Sequence, residues 1–326
     1  MPDARRKRGQ RAMTRRRLAI AGIAAFVLVD LGLVALAVTR EPSGLASEAG
    51  DATLPTASVA PPEASESATP TPSPTVEAAA VPVTRHLSAV DGQTAWRADT
   101  GACTPGSAAT PLTLEVSTTG GSSWVASTVT TPGAVAGVDR LQASDASTAF
   151  VVGPAGEDCS TAFTQTFSAG AAFRDYPDRL PSAWYVARSN QAVVHSPSGD
   201  RTAPCPVVVD LAVVSDSQAA VLCADRTLYR TADAAASWDA GTVVPGAVAL
   251  TVDAGTFVVA SVGVDGCEGT QVASTASAAD AVVTPTGCSP VTSAEPGQVA
   301  VSAAAGSVWL WAGDDLAVSS DAGVTW

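Results

Sequence analysis

Lysine, asparagine and histidine are nearly missing from this chain, which holds Lys7, Asn190, His86 and His195 as its only members of those three types. The lone asparagine does not begin an Asn-x-Ser/Thr sequon, so N-glycosylation is excluded. The two histidines stand far apart and no Cys-x-x-Cys spacing occurs, so neither a zinc site nor any cofactor is expected. No nucleophile elbow, phosphate-binding loop or metalloprotease signature is present. Basic residues are scarce after the first seventeen positions: Met1–Arg17 holds eight basic residues and one acid, leaving ten basic against thirty acidic beyond it, or −20. Phosphate contacts need Lys and Arg, so nucleic acid is excluded as a partner. The plain consequence of that acidity is solubility for an Ala/Val-rich chain. One lysine, one asparagine and abundant Ala, Val and Arg fit a GC-rich bacterial genome.

What is there begins with an apolar run. Leu18–Val38 spans twenty-one residues, long enough to cross ~30 Å of hydrocarbon as a transmembrane helix. The basic tail at 1–17 should stay cytoplasmic and place everything after the run outside. Ala35-Leu36-Ala37 offers a rival signal-peptidase site and Arg15-Arg16-Arg17 a faint twin-arginine signal. The run exceeds the ~7–15 residues of a cleaved signal, which favours a retained single-pass anchor in the plasma membrane. Asp30 lies inside it and costs about 2.5–3.5 kcal/mol at mid-membrane, against roughly 4–7 kcal/mol returned by the Leu, Ile, Val and Phe residues. An acid at that depth is either a tolerated passenger or a contact for a transmembrane partner.

The segment 39–80 is rich in Pro, Ser, Thr, Ala and Glu and has almost no aliphatic pattern. Such a stretch cannot bury enough surface to offset its own ordering, and it reads as an extended extracytoplasmic linker.

The last eight residues, Ser319–Trp326, read Ser-x-Asp-x-Gly-x-Thr-Trp, and weakened copies recur upstream. Asp321 can turn its carboxylate onto backbone N–H groups ahead of it, Gly323 supplies positive φ, and Trp326 opens the next strand. Burying one such Trp covers about 150–250 Å², roughly 4–6 kcal/mol gross. The copy at 231–238 keeps Asp233 and Trp238; that at 117–124 keeps Gly121 and Trp124; that at 166–173 keeps Gly170 and ends on Phe173. A fifth, at 274–281, is nearly erased. The closing positions 124, 173, 238, 281 and 326 are separated by 49, 65, 43 and 45 residues, a period expected of propeller blades.

This series resembles the Asp-box (BNR) repeat of sialidases, sortilin-like receptors and photosystem-assembly-factor-like propellers, over roughly 81–326. The resemblance implies an all-β fold, a β-propeller, which the apolar run and the segment after it precede as one transmembrane helix and a disordered linker. Short apolar runs from residue 81 onward sort into about six four-stranded blades, near 41 residues each. The sixth is read from Ser182–Asp200, whose turn has lost the repeat. Since the chain ends where a last strand would begin, residues near Ala78–Val83 are expected to complete the final blade.

Six cysteines outside the membrane imply disulfides in an oxidising compartment. On the blade map all six fall on loops of one face, and the pairs become Cys103–Cys159, Cys205–Cys223 and Cys267–Cys288. The same loops carry Glu157, Asp158, Asp225, Asp265, Glu268, Asp314 and Asp315. They form either a broken carboxylate ring for a cation or basic partner, or ordinary solvated loop charge.

Sialidases pair this repeat with three arginines, a Tyr–Glu nucleophile pair and an Asp acid. Phe173-Arg174-Asp175-Tyr176-Pro177 is superficially similar to their Phe-Arg-Ile-Pro signature, but the blade map puts it on an outer strand. None of Tyr176, Tyr185 and Tyr229 has a Glu convincingly beside it. The leading expectation is a non-catalytic, surface-displayed binding or scaffold module for a protein or glycan. The alternative is a degenerate sialidase-like glycoside hydrolase.

Overall fold

A computed structural model of the chain describes residues 79–293 and 295–326. The basic tail, the apolar run 18–38 with Asp30, and nearly all of the linker lie outside that range. Among the described residues no helix is long and apolar enough to cross a membrane.

The first blade consists of β1 (Arg85–Ala89), β2 (Ala95–Asp99), β3 (Thr113–Ser117) and β4 (Val125–Thr128). The second holds β5 (Arg140–Ala143), β6 (Ala149–Ala155), β7 (Ser160–Thr166) and β8 (Phe173–Asp175). A 3₁₀ turn, Pro177–Ser182, then leads to a hairpin of β9 (Val193–Ser196) and β10 (Gly199–Thr202). The third blade is β11 (Val208–Val213), β12 (Ala219–Cys223), β13 (Thr227–Thr231) and β14 (Thr242–Val243). The fourth is β15 (Ala247–Asp253), β16 (Thr256–Val262), β17 (Thr270–Ala276) and β18 (Thr284–Ser289). The fifth has β19 (Val299–Ala304), β20 (Ser307–Ala312) and β21 (Asp315–Ser319). In each blade the strands pair in sequence order, antiparallel throughout.

Packing explains the composition of these strands. A second strand lies between two neighbouring strands and between two neighbouring blades, so both its faces are buried. All of β12 (Ala-Ala-Val-Leu-Cys) and all of β20 (Ser-Val-Trp-Leu-Trp-Ala) are buried. Strands enclosed on both sides read as unbroken apolar runs rather than alternating ones. The cores therefore sit between blades: Trp96, Leu114 and Val116 of the first pack with Ala149 and Val151 of the second.

The blade count is five, not six. Ser182–Asp200 does not build a full sheet: only Tyr185 bridges to His195, and β9 pairs with β10 alone. This truncated unit lies between the second and third blades and keeps its tryptophan. The Trp184 indole donates to Ser215 O at 3.1 Å, as Trp96 does to Asp145 O (3.1 Å) and Trp309 to Asp91 O (2.7 Å).

The chain start does not complete the last blade either, which has three strands. Instead the Ala80 N–H donates to Ala224 O (2.8 Å), Val83 N–H to Val209 O (3.4 Å) and Thr84 N–H to Gly297 O (2.8 Å). The segment thus crosses one mouth of the central opening, from the third blade to the fifth, before entering β1. Its backbone groups are satisfied on that path, and Ala80 and Val83 are buried by it.

Candidate functional site

The first strands of the blades, β1, β5, β11, β15 and β19, surround a central cavity of about 250 Å³. Between β5 and β11, where a sixth first strand would stand, Val186, Arg188 and Gln191 form the wall. Polar groups on these inner elements hold one another. Ser302 Oγ accepts from Ala89 N–H (2.8 Å) and Ser88 Oγ from Ala143 N–H (2.9 Å). Asp139 Oδ1 accepts from Arg188 N–H (3.1 Å) and Asp210 Oδ2 from Leu250 N–H (2.7 Å). Gln191 O accepts from Val208 N–H at 3.1 Å. Each of these bonds joins one inner element to the next, so the channel lining is also what closes the ring.

A guanidinium and an imidazole meet where residues 80–84 cross. Arg188 Nη2 donates to Val83 O and to Thr100 Oγ1 (2.7 Å), and His86 Nε2 lies 3.1 Å from the same hydroxyl. Burial, with the Arg188 charge second, holds the His86 imidazole down at about 3, so it is neutral at pH 7. Burial pushes Asp139 up to about 6 and Asp210 up to about 7, against the backbone N–H groups and the Arg188 charge that favour their ionised forms. Burial also lowers Arg140 to about 10, while its guanidinium donates to Trp184 O (2.9 Å) and Gln142 Oε1. The channel can therefore exchange protons near neutrality through two carboxylates, each already engaged by the main chain. None of these residues stood out in the sequence, because each is a single charge inside an apolar strand start. The one available signal was that charge itself, in Arg85-His86-Leu87, Asp139-Arg140-Leu141 and Val209-Asp210-Leu211.

The repeated turns share one bonding scheme. The first-position hydroxyl accepts from the fifth-position N–H in four of them: Ser117 from Gly121, Thr166 from Gly170, Thr231 from Ala235 and Ser319 from Gly323, at 2.9–3.1 Å. The third position accepts from the seventh: Thr119 from Ser123, Ser168 from Ala172, Asp233 from Ser237 and Asp321 from Thr325, at 2.9–3.0 Å. Thr325 N–H, then the Ser319 and Thr325 hydroxyls, hold the Asp321 carboxyl down at about 2. Trp124 and Trp326 return their indole N–H to Gly121 O (3.1 Å) and Gly323 O (3.0 Å). Trp238 Nε1, in the turn with Ala235 in place of Gly, is buried without a partner. A Cβ on Gly121 would come within 2.2 Å of the Leu316 side chain of the fifth blade and sit at φ 82°, so a larger residue there is strained and must displace Leu316. Phe173 is partly buried against the core between the first two blades. The erased copy lies two residues later than its sequence reading: β17 runs to Ala276 and the bend occupies 277–280.

The opposite rim carries the disulfides Cys103–Cys159, Cys205–Cys223 and Cys267–Cys288. Glu157, Asp158, Asp225, Asp265, Glu268, Asp314 and Asp315 are all exposed, and none lines the central cavity. Asp225 Oδ1 accepts from Thr227 N–H (3.0 Å) and Asp158 Oδ1 from Ser160 N–H (3.3 Å), so these two shape their own loops. Among the described residues no group of three or more His, Cys, Asp or Glu is placed to hold a metal ion. Arg174 is exposed on the outermost strand of its blade and away from the channel, and Tyr185 stacks on His195 at 4.5 Å.

No family model and no curated protein matches the chain. Among solved structures, 74% of it aligns with YCF48 bound to D1 peptide, at 14% identity and a TM-score of 0.25 over 67% of that chain. The same share aligns with a GH74 xyloglucanase from Xanthomonas campestris, at 15% identity and a TM-score of 0.29 over 37% of that chain. It also aligns with the WD40 β-propeller domain of Doa1, at 14% identity and a TM-score of 0.37 over 93% of that chain. The chain spans about two thirds of the first and little more than a third of the second. At such identities the likeness reaches no further than fold, and the successive antiparallel sheets around one cavity make the chain an all-β β-propeller.

Proposed function

We propose that this chain is a non-catalytic binding module, held outside a bacterial plasma membrane by 18–38, that presents its propeller to a protein or glycan at the cell envelope. The observation that carries this reading is the state of the channel. Its two carboxylates, Asp139 and Asp210, accept backbone N–H groups of neighbouring inner elements, and residues 80–84 cross one mouth. A general acid must instead be free to reach a substrate oxygen. Recognition then falls to the exterior, where disulfide-tied loops hold exposed acids in place. The shared turn bonding supports placing the propeller with the Asp-box kind. Crosslinking in cells followed by affinity capture of the anchored protein tests the proposal. A specific envelope partner is expected, and capture no richer than from cells lacking the protein would end it.

A second reading, a degenerate glycoside hydrolase, draws on the same pair, since carboxyls raised to about 6 and 7 lie where general acids work. A fluorogenic glycoside panel decides between them: turnover abolished by Asp210→Asn supports the hydrolase, and no turnover supports the binding module.

A further inference from the structure

The fifth blade presents an open and undefended strand edge. In the first four blades a fourth strand covers the third, whereas β21 pairs with β20 alone. The turn Gly313-Asp314 closes on the pair Ala312↔Asp315. Pairing alternates from there, so Leu316 and Val318 turn their N–H and C=O groups outward. Among the described residues no backbone group meets them on that side. The matching residues of the first blade, Leu114 and Val116, pair with Ser127 and Val125 of β4. The strand β3 (Thr-Leu-Glu-Val-Ser) nearly repeats as β21 (Asp-Leu-Ala-Val-Ser). The open edge is held in place: Leu316 and Val318 pack with Trp309 and Ala95, and the Ser319 hydroxyl accepts from Gly323 N–H at 2.9 Å. Native edges are commonly blunted by shortness, proline or a bulge. The outer strands β4, β8 and β14 have four, three and two residues, and β18 carries Pro285 with a shift in register. In contrast β21 has five residues, no proline and an unbroken register.

We propose that the outer edge of β21 takes an extended basic segment of a protein partner as the fourth strand of its blade. The proposal rests on the binding-module reading and gives it a place and a partner chemistry. Main-chain hydrogen bonds supply the attraction in such strand addition. The side chains need supply little, since Val125, Ala126 and Thr128 of β4 are exposed in the same position. Charge decides the occupant. Residues 299–326 hold Asp314, Asp315 and Asp321 and no base. All three acids are exposed, at the two ends of β21. The guanidiniums over Trp311, which pairs with Leu316, are Arg85 and Arg97, and these are already matched by Asp99 (3.6 Å) and Glu115 (2.6 Å). The outer strands on either side, β3 with β4 and β17 with β18, add no base. A second copy, antiparallel with Leu316 opposite Val318, would set Asp314 and Asp315 of each copy beside Asp321 of the other. The segment 39–78 of this chain carries six acids and only Arg40. Both of these are repelled where a strand flanked by Lys or Arg is attracted.

The test uses the full chain and a fluorescein-labelled peptide, Lys-Lys-Val-Thr-Val-Thr-Lys-Lys. One control peptide has its central amides N-methylated, which keeps the charge and removes the donors; another carries Glu in place of Lys. Saturable binding of the first peptide is expected, about tenfold or more tighter than either control. Val318→Pro removes an outward N–H that the fold itself does not use, and Asp314→Lys/Asp315→Lys reverses the charge at one end. Each should weaken binding about fivefold or more. Asp178→Lys/Asp216→Lys makes the same change of charge at exposed sites elsewhere and should leave binding within about twofold. Absence of saturable binding, or equal binding of the N-methylated peptide, would overturn the proposal. So would self-association abolished by Val318→Pro, which puts a second copy on the edge, or peptide binding that appears only after deletion of 39–78, which puts that segment there. In cells, partner capture that persists in both Val318→Pro and Asp314→Lys/Asp315→Lys overturns this edge alone, whereas absence of any partner for the unmodified chain overturns the binding-module reading beneath it.

Discussion

The indole N–H of Trp309 donates to the carbonyl of Asp91 at 2.7 Å, joining the second strand of the last blade to the first hairpin of the first blade. The ring is closed by this side chain, together with the Ala89 N–H bond to Ser302 Oγ (2.8 Å). The same Trp-to-carbonyl bond recurs at Trp96 and at Trp184, so Trp184 ties the truncated unit to the third blade much as a full blade is tied.

Trp309→Phe keeps an aromatic ring but deletes the donor at a fully buried site, leaving the Asp91 carbonyl without it. A loss of about 2 kcal/mol is expected from the unpaired carbonyl and the smaller ring. Urea denaturation measures it. Trp184→Phe should lose a similar amount, and a neutral result there would mean that the truncated unit contributes nothing to closure.

Stability should fall as pH rises from about 5 to 7. Asp139 and Asp210 have folded-state values raised to about 6 and 7, so their contribution is complete below the unfolded value of 3.8 and disappears as pH climbs through the folded ones. His86 is lowered from 6.5 to about 3 and acts oppositely, adding stability as pH rises across that interval. Two protons taken up by the folded state against one excluded leave a net of one from about pH 5 to 6, above the range in which carboxyls held down in the fold, such as Asp321, still titrate in the unfolded chain, a slope on the order of 1 kcal/mol per pH unit. Asp210→Asn should flatten this slope and His86→Asn should steepen it, read as thermal midpoints across pH. A midpoint that rises from pH 5 to 7 would contradict the assignment.

Two exposed alanines in left-handed backbone open hairpin turns: Ala254 (φ 47°) before Gly255 (φ 83°), and Ala305 (φ 52°) before Gly306 (φ 77°). Each pair is the two-residue turn between strands in register at Asp253↔Thr256 and Ala304↔Ser307. Such turns favour Asn-Gly, because Asn tolerates positive φ where alanine is strained by about 1 kcal/mol. Ala254→Asn and Ala305→Asn should each raise the urea midpoint with the m-value unchanged.

How much of this was legible before the structure depends on the range of the signal. Strands were readable because apolar runs and turn residues are local. The turn at 319–326 was readable because the bonds that shape it lie within eight residues. The blade count was not, since Ser182–Asp200 keeps a tryptophan and an apolar run, and only the absent pairings show that its sheet is incomplete. The path of 80–84 was hidden for the same reason: its acceptors, Val209, Ala224 and Gly297, are backbone groups far along the chain. The channel charges escaped because assembly, not spacing, brings them together.

The Cys103–Cys159 bond joins loops of the first and second blades across a separation of 56 residues. In the chain-entropy account, closing a loop of that length in the unfolded state is worth about 4 kcal/mol. Neither cysteine is fully buried, so Cys103→Ala/Cys159→Ala removes the crosslink with little loss of packing. The folded loops also meet through the Gly106 N–H bond to Glu157 O at 2.8 Å, which survives the change. Replacement should therefore lower stability by roughly 2–4 kcal/mol while leaving hydrogen exchange at Gly106 slow relative to an open loop. A loss under about 1 kcal/mol would show that the unfolded chain already holds these two loops together.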